Sequence, residues 1–286
     1  MEKLSNTIAI IREQIGAGSS SMLIVFVLSF IFFVTGGGIS HSAKWRIDRI
    51  EVAGAKSVPE DIVRRLVRQK LEGNYFFVYA RENSRLFPKK EIEQMLLETF
   101  PRIDQVSVNR FDNHTLITSI IERTPYALWC GEWPDFKTQG IGTCWFIDEN
   151  GFVFDSAPVF SPGVYMEVYG KLLEKNEREP LRGQLPYQRF TTINTFAEKV
   201  RKEFGEPARI ALKEEGELEL SVRFSSTHTF LNGVAIRFKD EYSPETVIKN
   251  LRAAISVQFP DNTALKKKLL YIDMRFGNKI FFGFEN

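Results

Sequence analysis

The amino-acid sequence predicts an α+β protein with an N-terminal transmembrane helix, a small domain of order β-α-α-β-β, and a mainly antiparallel β-domain with two helices. Three observations predict this arrangement. Residues 14–43 contain no Asp, Glu, Lys or Arg, apolar residues alternate with polar ones in many short segments, and stretches of helical spacing separate those segments. We therefore expect four regions: a cytoplasmic tail (1–17), a transmembrane helix (18–39), and domains at 46–124 and 125–286.

The composition sets the class of protein. A chain of 286 residues, 43% of them hydrophobic, is long enough for one or two compact domains beside a short anchor. Its 25 Phe residues favour β-structure and sizeable cores. A net charge of only +2 gives no electrostatic reason to expect nucleic acid as a partner.

The apolar run at residues 22–34 predicts the membrane helix. With its flanks it covers 18–39, and roughly 20 residues are needed to cross a bilayer. We expect the N-terminus in the cytoplasm and the rest outside it, at the cell membrane, because long domains are translocated largely regardless of charge. Two alternatives are a buried helix and a cleaved signal peptide that releases the protein, with Gly38 and Ser40 as the small residues at its cleavage site.

Residues 46–124 contain the first domain. Ile50 and Val52 alternate with charged residues and predict a strand, and a helix follows, with Ser57 to Glu60 matching a capping box. A second helix begins after Pro88. Two alternating segments joined by a polar turn then predict a hairpin in which Val106 and Ile120 are core positions on adjacent strands. This order predicts a three-stranded sheet with two helices on one face.

The motifs in this segment resemble the FtsQ/DivIB family of bacterial division proteins. The segment 50–54 is similar to the family's "I-x-V-x-G", 101–110 to "P-x-I-x-x-V-x-V-x-R", and 122–129 to "E-R-x-P-x-A-x-W". Asp112-Asn113 departs from it, because the family often has proline there. The resemblance implies a POTRA domain at 46–124, followed by the family's β-domain.

The second domain repeats the strand pattern and continues the resemblance. Asn150-Gly151 predicts a type I′ hairpin within a stretch similar to "D-x-x-G-x-V-F". The charged segment 171–185 predicts an exposed loop, and the resemblance is weak over 156–190. Helical spacing recurs at 190–200 and 243–259. Near the C-terminus, 271–276 is similar to the family's "Y-x-D-L-R-Y".

Few residues are candidates for catalysis or metal binding. Cys130 and Cys144 either form a disulfide in an oxidising compartment or are two small buried residues. The three histidines are far apart and lack ligand spacing, and no motif supports a thiol nucleophile paired with His228. Asp148 and Asp155 flank a hairpin, where turn and surface roles are the expectation. We predict no catalytic, metal or cofactor site, and no enzyme.

The expected function is that of a non-enzymatic scaffold. The resemblance implies that the protein binds small membrane division proteins of the FtsB/DivIC and FtsL type outside the cytoplasm, acts with the septal peptidoglycan synthase complex and supports septum formation. The alternatives are a POTRA-containing secretion or envelope-assembly factor and an exported cell-wall enzyme.

The expected binding site is the C-terminal strand. Residues 279–284 predict a strand at a sheet edge, open to a partner strand unless another strand or the 171–185 loop covers it. Arg275 is expected to pair with an acidic residue of the partner. The predicted partner-binding residues are Arg275, Phe276, Asn278, Ile280, Phe281, Phe282 and Phe284.

Overall fold

The chain divides into two compact units, Met1–Glu122 and Arg123–Asn286, where the sequence predicts a boundary at 124/125. The computed structural model of the protein describes residues 22, 24–132, 143–161, 163–175, 178–224, 228–260, 267–277 and 279–285. Both units mix helices with strands, and strands predominate, so the fold class is α+β.

The first helix, α1, is continuous over residues 24–40. Among the helices of the described residues, none is both long enough and apolar enough to cross a membrane. The prediction of a transmembrane helix at 18–39 is therefore wrong on this finding. The last turn of α1 is bound to protein, where Ser40 Oγ accepts a hydrogen bond from the Ala80 N–H. Residues 1–21, which include the predicted cytoplasmic tail, lie outside the described part of the chain.

The first unit has the predicted order β-α-α-β-β with a small hairpin added between its helices. A 3-10 helix at Ala43–Trp45 precedes β1. The elements are β1 (Arg49–Ala53), α2 (Glu60–Leu71), β2 (Asn74–Tyr75), β3 (Tyr79–Ala80), α3 (Lys89–Thr99), β4 (Ile103–Arg110) and β5 (Thr115–Glu122). β5 is central in the sheet, parallel to β1 and antiparallel to β4, while β2 and β3 pair only with each other.

The core of this unit lies between the sheet and the buried stripes of α2 and α3. Val63, Val67 and Leu71 recur every four residues, which places them on one face of α2. Val106 is paired with Ile120 across β4 and β5, and both contact this core. Their predicted positions are confirmed.

The start of α2 differs from the predicted capping box. No side chain of the helix terminus caps it. Instead Glu122 Oε1, at the end of β5, accepts hydrogen bonds from the backbone N–H groups of Lys56, Ser57 and Val58 at 2.6, 2.8 and 2.9 Å. Burial raises the pKa of Glu122, but these three donors and Arg102 outweigh it and hold the pKa below its ordinary value. The carboxylate therefore ties the entrance of α2 to the end of the sheet.

Gly54, the last residue of the motif that opens this domain, is required by both space and conformation. Its φ is +84°, and a Cβ atom there would lie 2.2 Å from the carbonyl oxygen of Ile120. Side chains avoid this φ, and no backbone oxygen tolerates a carbon so close. The chain at the end of β1 runs so close to β5 that only glycine fits at position 54.

The described residues of the second unit form one nine-stranded sheet with two α-helices. In spatial order its strands are β14, β13, β12, β11, β10, β9, β6, β7 and β8, and five of the eight neighbouring pairs are antiparallel. The elements are β6 (Ala127–Trp129), β7 (Trp145–Ile147), β8 (Val153–Ser156), β9 (Glu167–Gly170), α4 (Tyr187–Glu203), β10 (Glu206–Leu212), β11 (Glu217–Phe224), a 3-10 helix (Thr229–Leu231), β12 (Ala235–Lys239), α5 (Pro244–Gln258), β13 (Leu269–Phe276) and β14 (Lys279–Phe284).

The two faces of this sheet are packed differently. α4 and α5 share one hydrophobic core with the strands. On the opposite face, a smaller aromatic cluster contains Phe146 and Phe154. Cys130 and Cys144 form a disulfide and pack against that cluster. The structure thus selects the disulfide from the two alternatives that the sequence left open.

The hairpin at 145–156 is present, but its turn is not type I′. Type I′ needs positive φ at both central residues, and only Gly151 of the Asn150-Gly151 pair has it. Asp148 provides the reason. Its buried carboxylate accepts the N–H groups of Asn150 and Phe152 at 2.9 and 3.0 Å, which favours a different turn.

Candidate functional site

The two edges of the nine-stranded sheet differ in their hydrogen bonding. At one edge, Val153 of β8 donates its N–H to Gly183 O at 2.9 Å and accepts the Arg182 N–H at 2.8 Å. The described part of the 171–185 loop therefore covers the β8 edge and not the C-terminal strand. At the other edge, β14 hydrogen-bonds along its length to β13, and no other described segment pairs with it.

One side of β14 belongs to the hydrophobic core. Ile280, Phe282 and Phe284 pack against it, and the ring of Phe282 lies 5.5 Å from that of Phe259 at the end of α5. These contacts fix the register, since a shift of one residue would move all three side chains to the other face. β14 is therefore an anchored strand with its outer edge open among the described residues.

The other side of β14 carries an exposed aromatic pair. Phe281 is 49% exposed and Phe276, at the end of β13, is 56% exposed. Their ring centroids are 5.4 Å apart with planes at 89°, an edge-to-face contact. Aromatic side chains held rigidly beside an open strand edge are typical of protein-binding surfaces.

A row of charged residues leads across the sheet to this pair. The strand register places Glu219, Arg237, Asp273 and Phe281 opposite one another on β11 to β14, so that they share a face. Glu219 Oε2 accepts hydrogen bonds from Arg237 at 2.8 Å and Lys213 at 2.7 Å. The charged side chains of the row therefore bind one another, whereas Phe281 at the end of the row is half exposed.

Arg275 is engaged within the chain. Its guanidinium donates from Nη2 to Asp273 Oδ2 at 2.6 Å and from Nη1 to Glu217 Oε1 at 2.5 Å. The bond to Asp273 raises the pKa of Arg275 above its usual range, although burial opposes this. Burial alone would raise the pKa of Asp273, yet the bonds from Arg275 hold it below its ordinary value. Arg275 therefore fixes the end of β13 beside Phe276, whereas the sequence suggested an ion pair with a partner.

Comparison with known proteins adds no relative. No protein-family model matches this chain, and no curated protein matches it. The function is therefore inferred from the residues of the chain and their geometry.

The structure brings most of the predicted site residues together. Arg275 and Phe276 end β13, while Ile280, Phe281, Phe282 and Phe284 lie in β14; Asn278 is outside the described residues. Sequence reasoning missed Tyr271 and Gly283, which face each other across β13 and β14. A Cβ atom on Gly283 would lie 2.2 Å from the Tyr271 ring, and the Arg237 guanidinium lies 4.6 Å from that ring's centroid. The Tyr-Gly pair has no signal in the sequence, because only the register places the two residues opposite each other.

The groups considered for catalysis have structural contacts. Asp148 accepts a hydrogen bond from Arg123 at 2.6 Å in addition to its turn contacts. The ring of His228 lies against two phenylalanine rings, 5.6 and 5.8 Å away. Within the described residues, no cluster of three His, Cys, Asp or Glu side chains is placed to hold a metal ion.

The second unit contains a cavity of about 510 Å³. Its Arg201 pairs with Glu198 and with Glu206, the latter at 2.9 Å. No histidine, cysteine or serine is among the described residues that line it. The described lining therefore lacks a serine or cysteine nucleophile paired with a histidine base.

Proposed function

We propose that the protein is a non-enzymatic scaffold that binds a partner protein by strand addition at β14. The observation that carries this proposal is the difference between the two sheet edges. The 182–183 segment hydrogen-bonds to β8, whereas β14 pairs only with β13 among the described residues. A partner strand at β14 gains backbone hydrogen bonds for affinity and side-chain contacts for specificity.

The aromatic pair supplies the apolar part of this binding. Phe276 and Phe281 each expose about half of their surface, and full burial of such a side chain contributes about 1.5–3 kcal/mol. Covering the exposed half of each ring therefore contributes about 1 kcal/mol, or about 2 kcal/mol for the pair. At about 1.4 kcal/mol per factor of ten, this is close to a 30-fold effect on Kd.

The resemblance to the FtsQ/DivIB family supports the choice of partner. It favours small division proteins of the FtsB/DivIC and FtsL type, bound outside the cytoplasm at the septum together with the septal peptidoglycan synthase complex. The Cys130–Cys144 disulfide supports the same location, because disulfides persist in oxidising compartments.

The binding experiment uses the FtsB/DivIC-type and FtsL-type proteins encoded in the same genome. We expect the double variant Phe276→Ser/Phe281→Ser to weaken their binding about 30-fold, and to lower the stability of the second unit by about 2 kcal/mol because half of each ring is buried in the free chain. Val257→Ser is the matched control, because Val257 is 82% exposed on α5, which packs on the other face of the sheet. Wild-type affinity in the double variant would show that the aromatic pair is not part of the binding site.

Hydrogen exchange separates strand addition from a contact made by side chains alone. If the partner adds a strand, the amides of 279–284 that face away from β13 exchange more slowly in the complex. Protection confined to α4 or α5 would place the partner on the helical face and refute strand addition.

A further inference from the structure

The tip of the β2–β3 hairpin exposes two phenylalanines in an unfavourable backbone conformation. Phe76 is 78% exposed and Phe77 is 98% exposed. Their φ angles are +49° and +64°, in the left-handed region that residues other than Gly and Asn rarely adopt. Tyr75 and Tyr79 pair directly across this tip. Two large apolar side chains are thus held in water at a turn where glycine or asparagine would fit with less strain, which indicates a role outside folding.

The hairpin is fastened to the end of α1. The ring of Tyr79 lies 5.2 Å from that of Phe33, and a Cβ atom on Gly37 would lie 1.9 Å from Val78 Cγ1, so helix and hairpin touch closely. His41 Nε2 is 3.0 Å from Val78 O. These contacts hold the tip beside α1. The exposed large apolar side chains of that helix are Ile24, Val25, Phe26, Val27, Leu28, Phe30, Ile31, Phe32, Val34 and Ile39.

Two cations flank a tryptophan in the segment that follows α1. Lys44 Nζ lies 5.4 Å and the Arg85 guanidinium 3.7 Å from the ring centroid of Trp45. Within the described part of the chain, neither cation has a carboxylate partner, whereas Arg81 nearby pairs with Glu91. Tryptophan and tyrosine together with lysine or arginine are typical of the membrane–water interface, where anionic headgroups attract the cations.

We propose that the Phe76-Phe77 tip inserts into the interfacial layer of a lipid bilayer, and that Lys44 and Arg85 contact anionic headgroups beside it. The partner is a lipid surface because three features occur together in one unit: exposed aromatic side chains, the apolar surface of α1, and two cations that have no carboxylate partner among the described residues. Insertion removes both phenyl rings from water. This site goes beyond the proposed function, since it shares no residue with the β14 edge and uses a different partner.

The experiment places a fluorescent label at the tip of the full-length chain. The chain has only two cysteines, and both are in the disulfide, so the cysteine of a Phe77→Cys variant can be labelled selectively. The labelled protein is reconstituted into phosphatidylcholine vesicles with and without phosphatidylglycerol, and lipids with a nitroxide near the headgroup serve as quenchers. Phe111→Cys is the matched control, because Phe111 is 71% exposed at the β4–β5 turn of the same unit.

We expect a blue shift and quenching of the label at position 77, and neither at position 111. The variant Lys44→Gln/Arg85→Gln is expected to lose the increase in quenching that phosphatidylglycerol gives. Equal behaviour of positions 77 and 111 in vesicles that carry the protein would overturn the proposal. So would a blue shift in lipid-free detergent that grows with protein concentration, because it would assign the tip to a second copy of the chain. Unchanged dependence on phosphatidylglycerol in the double variant would overturn the role of the two cations.

Discussion

Replacing Glu122 by Gln should destabilise the first unit by about 2 kcal/mol. Glu122 accepts three backbone N–H groups, and its side chain is only 7% exposed. Hydrogen bonds to a charged acceptor contribute about 1.5–3 kcal/mol and neutral ones about 0.5–1.5, a difference near 1 kcal/mol per bond. Two of the three donors, in Lys56 and Ser57, lie where water can replace part of that loss, which lowers the total from about 3 to about 2 kcal/mol.

Amide hydrogen exchange is the suitable assay. Because the chain has two compact units, one melting curve would combine their transitions, whereas exchange in β1 and β5 reports the first unit alone. Glu51→Gln is the matched control. Glu51 is half exposed, and its ion pair with Arg49 is 4.0 Å long, so we expect a change within about 0.5 kcal/mol.

The destabilisation caused by Glu122→Gln should become smaller as the pH falls. The pKa of Glu122 is lower in the folded chain, so its contribution is fully present above the ordinary glutamate pKa and is lost as pH falls through the folded value. The difference in unfolding free energy between wild type and Glu122→Gln should be constant above about pH 5 and shrink below about pH 4. A difference that stays constant from pH 7 down to pH 3 would show that the three N–H groups do not depend on the carboxylate charge.

Three other changes test further parts of the structure. Gly54→Ala should destabilise the first unit by more than about 2 kcal/mol in exchange experiments, because backbone strain and a clash with the backbone add. Gly73→Ala is the control, since Gly73 has the same φ but open space around it, and it should cost about 1 kcal/mol. Equal costs for the two variants would refute the clash. Cys130→Ser/Cys144→Ser should lower the stability of the second unit by about 3 kcal/mol, the usual value for a loop of this size, as measured by exchange in β6 and β7. Gly283→Ala should displace the ring that covers it and weaken partner binding without changing exchange in the first unit; unchanged affinity would show that this ring does not shape the site.

Local sequence signals located most of the secondary structure. Helical spacing marks the buried stripe of α4, including Phe190, Phe196 and Val200, and that of α5 with its Ser243 cap. These elements follow from which residues are apolar and how far apart they stand, and side-chain direction along a helix or strand makes that spacing visible. The β2–β3 hairpin was missed because strands of two residues are too short to show any period.

Hydropathy was a poor guide to the first helix. An apolar run records which side chains avoid water, and it does not record what they touch. In the folded chain Gly36 and Gly37 allow Tyr79 and Val78 to approach the helix, so part of a segment that read as lipid-facing is covered by protein. Only the contacts between α1 and the hairpin revealed this.

The α+β class, the alternation that defines the strands and the aromatic character of the C-terminal strand follow directly from the order of the residues. Which sheet edge the 171–185 loop covers, what Arg275 binds and what caps α2 became visible only in the folded chain. Glu122 is more than 60 residues from the N–H groups that it accepts, and Glu217 is 58 residues from Arg275. Periodicity shows which face of an element is buried, whereas edges, ion pairs and caps depend on which distant strand lies beside that element.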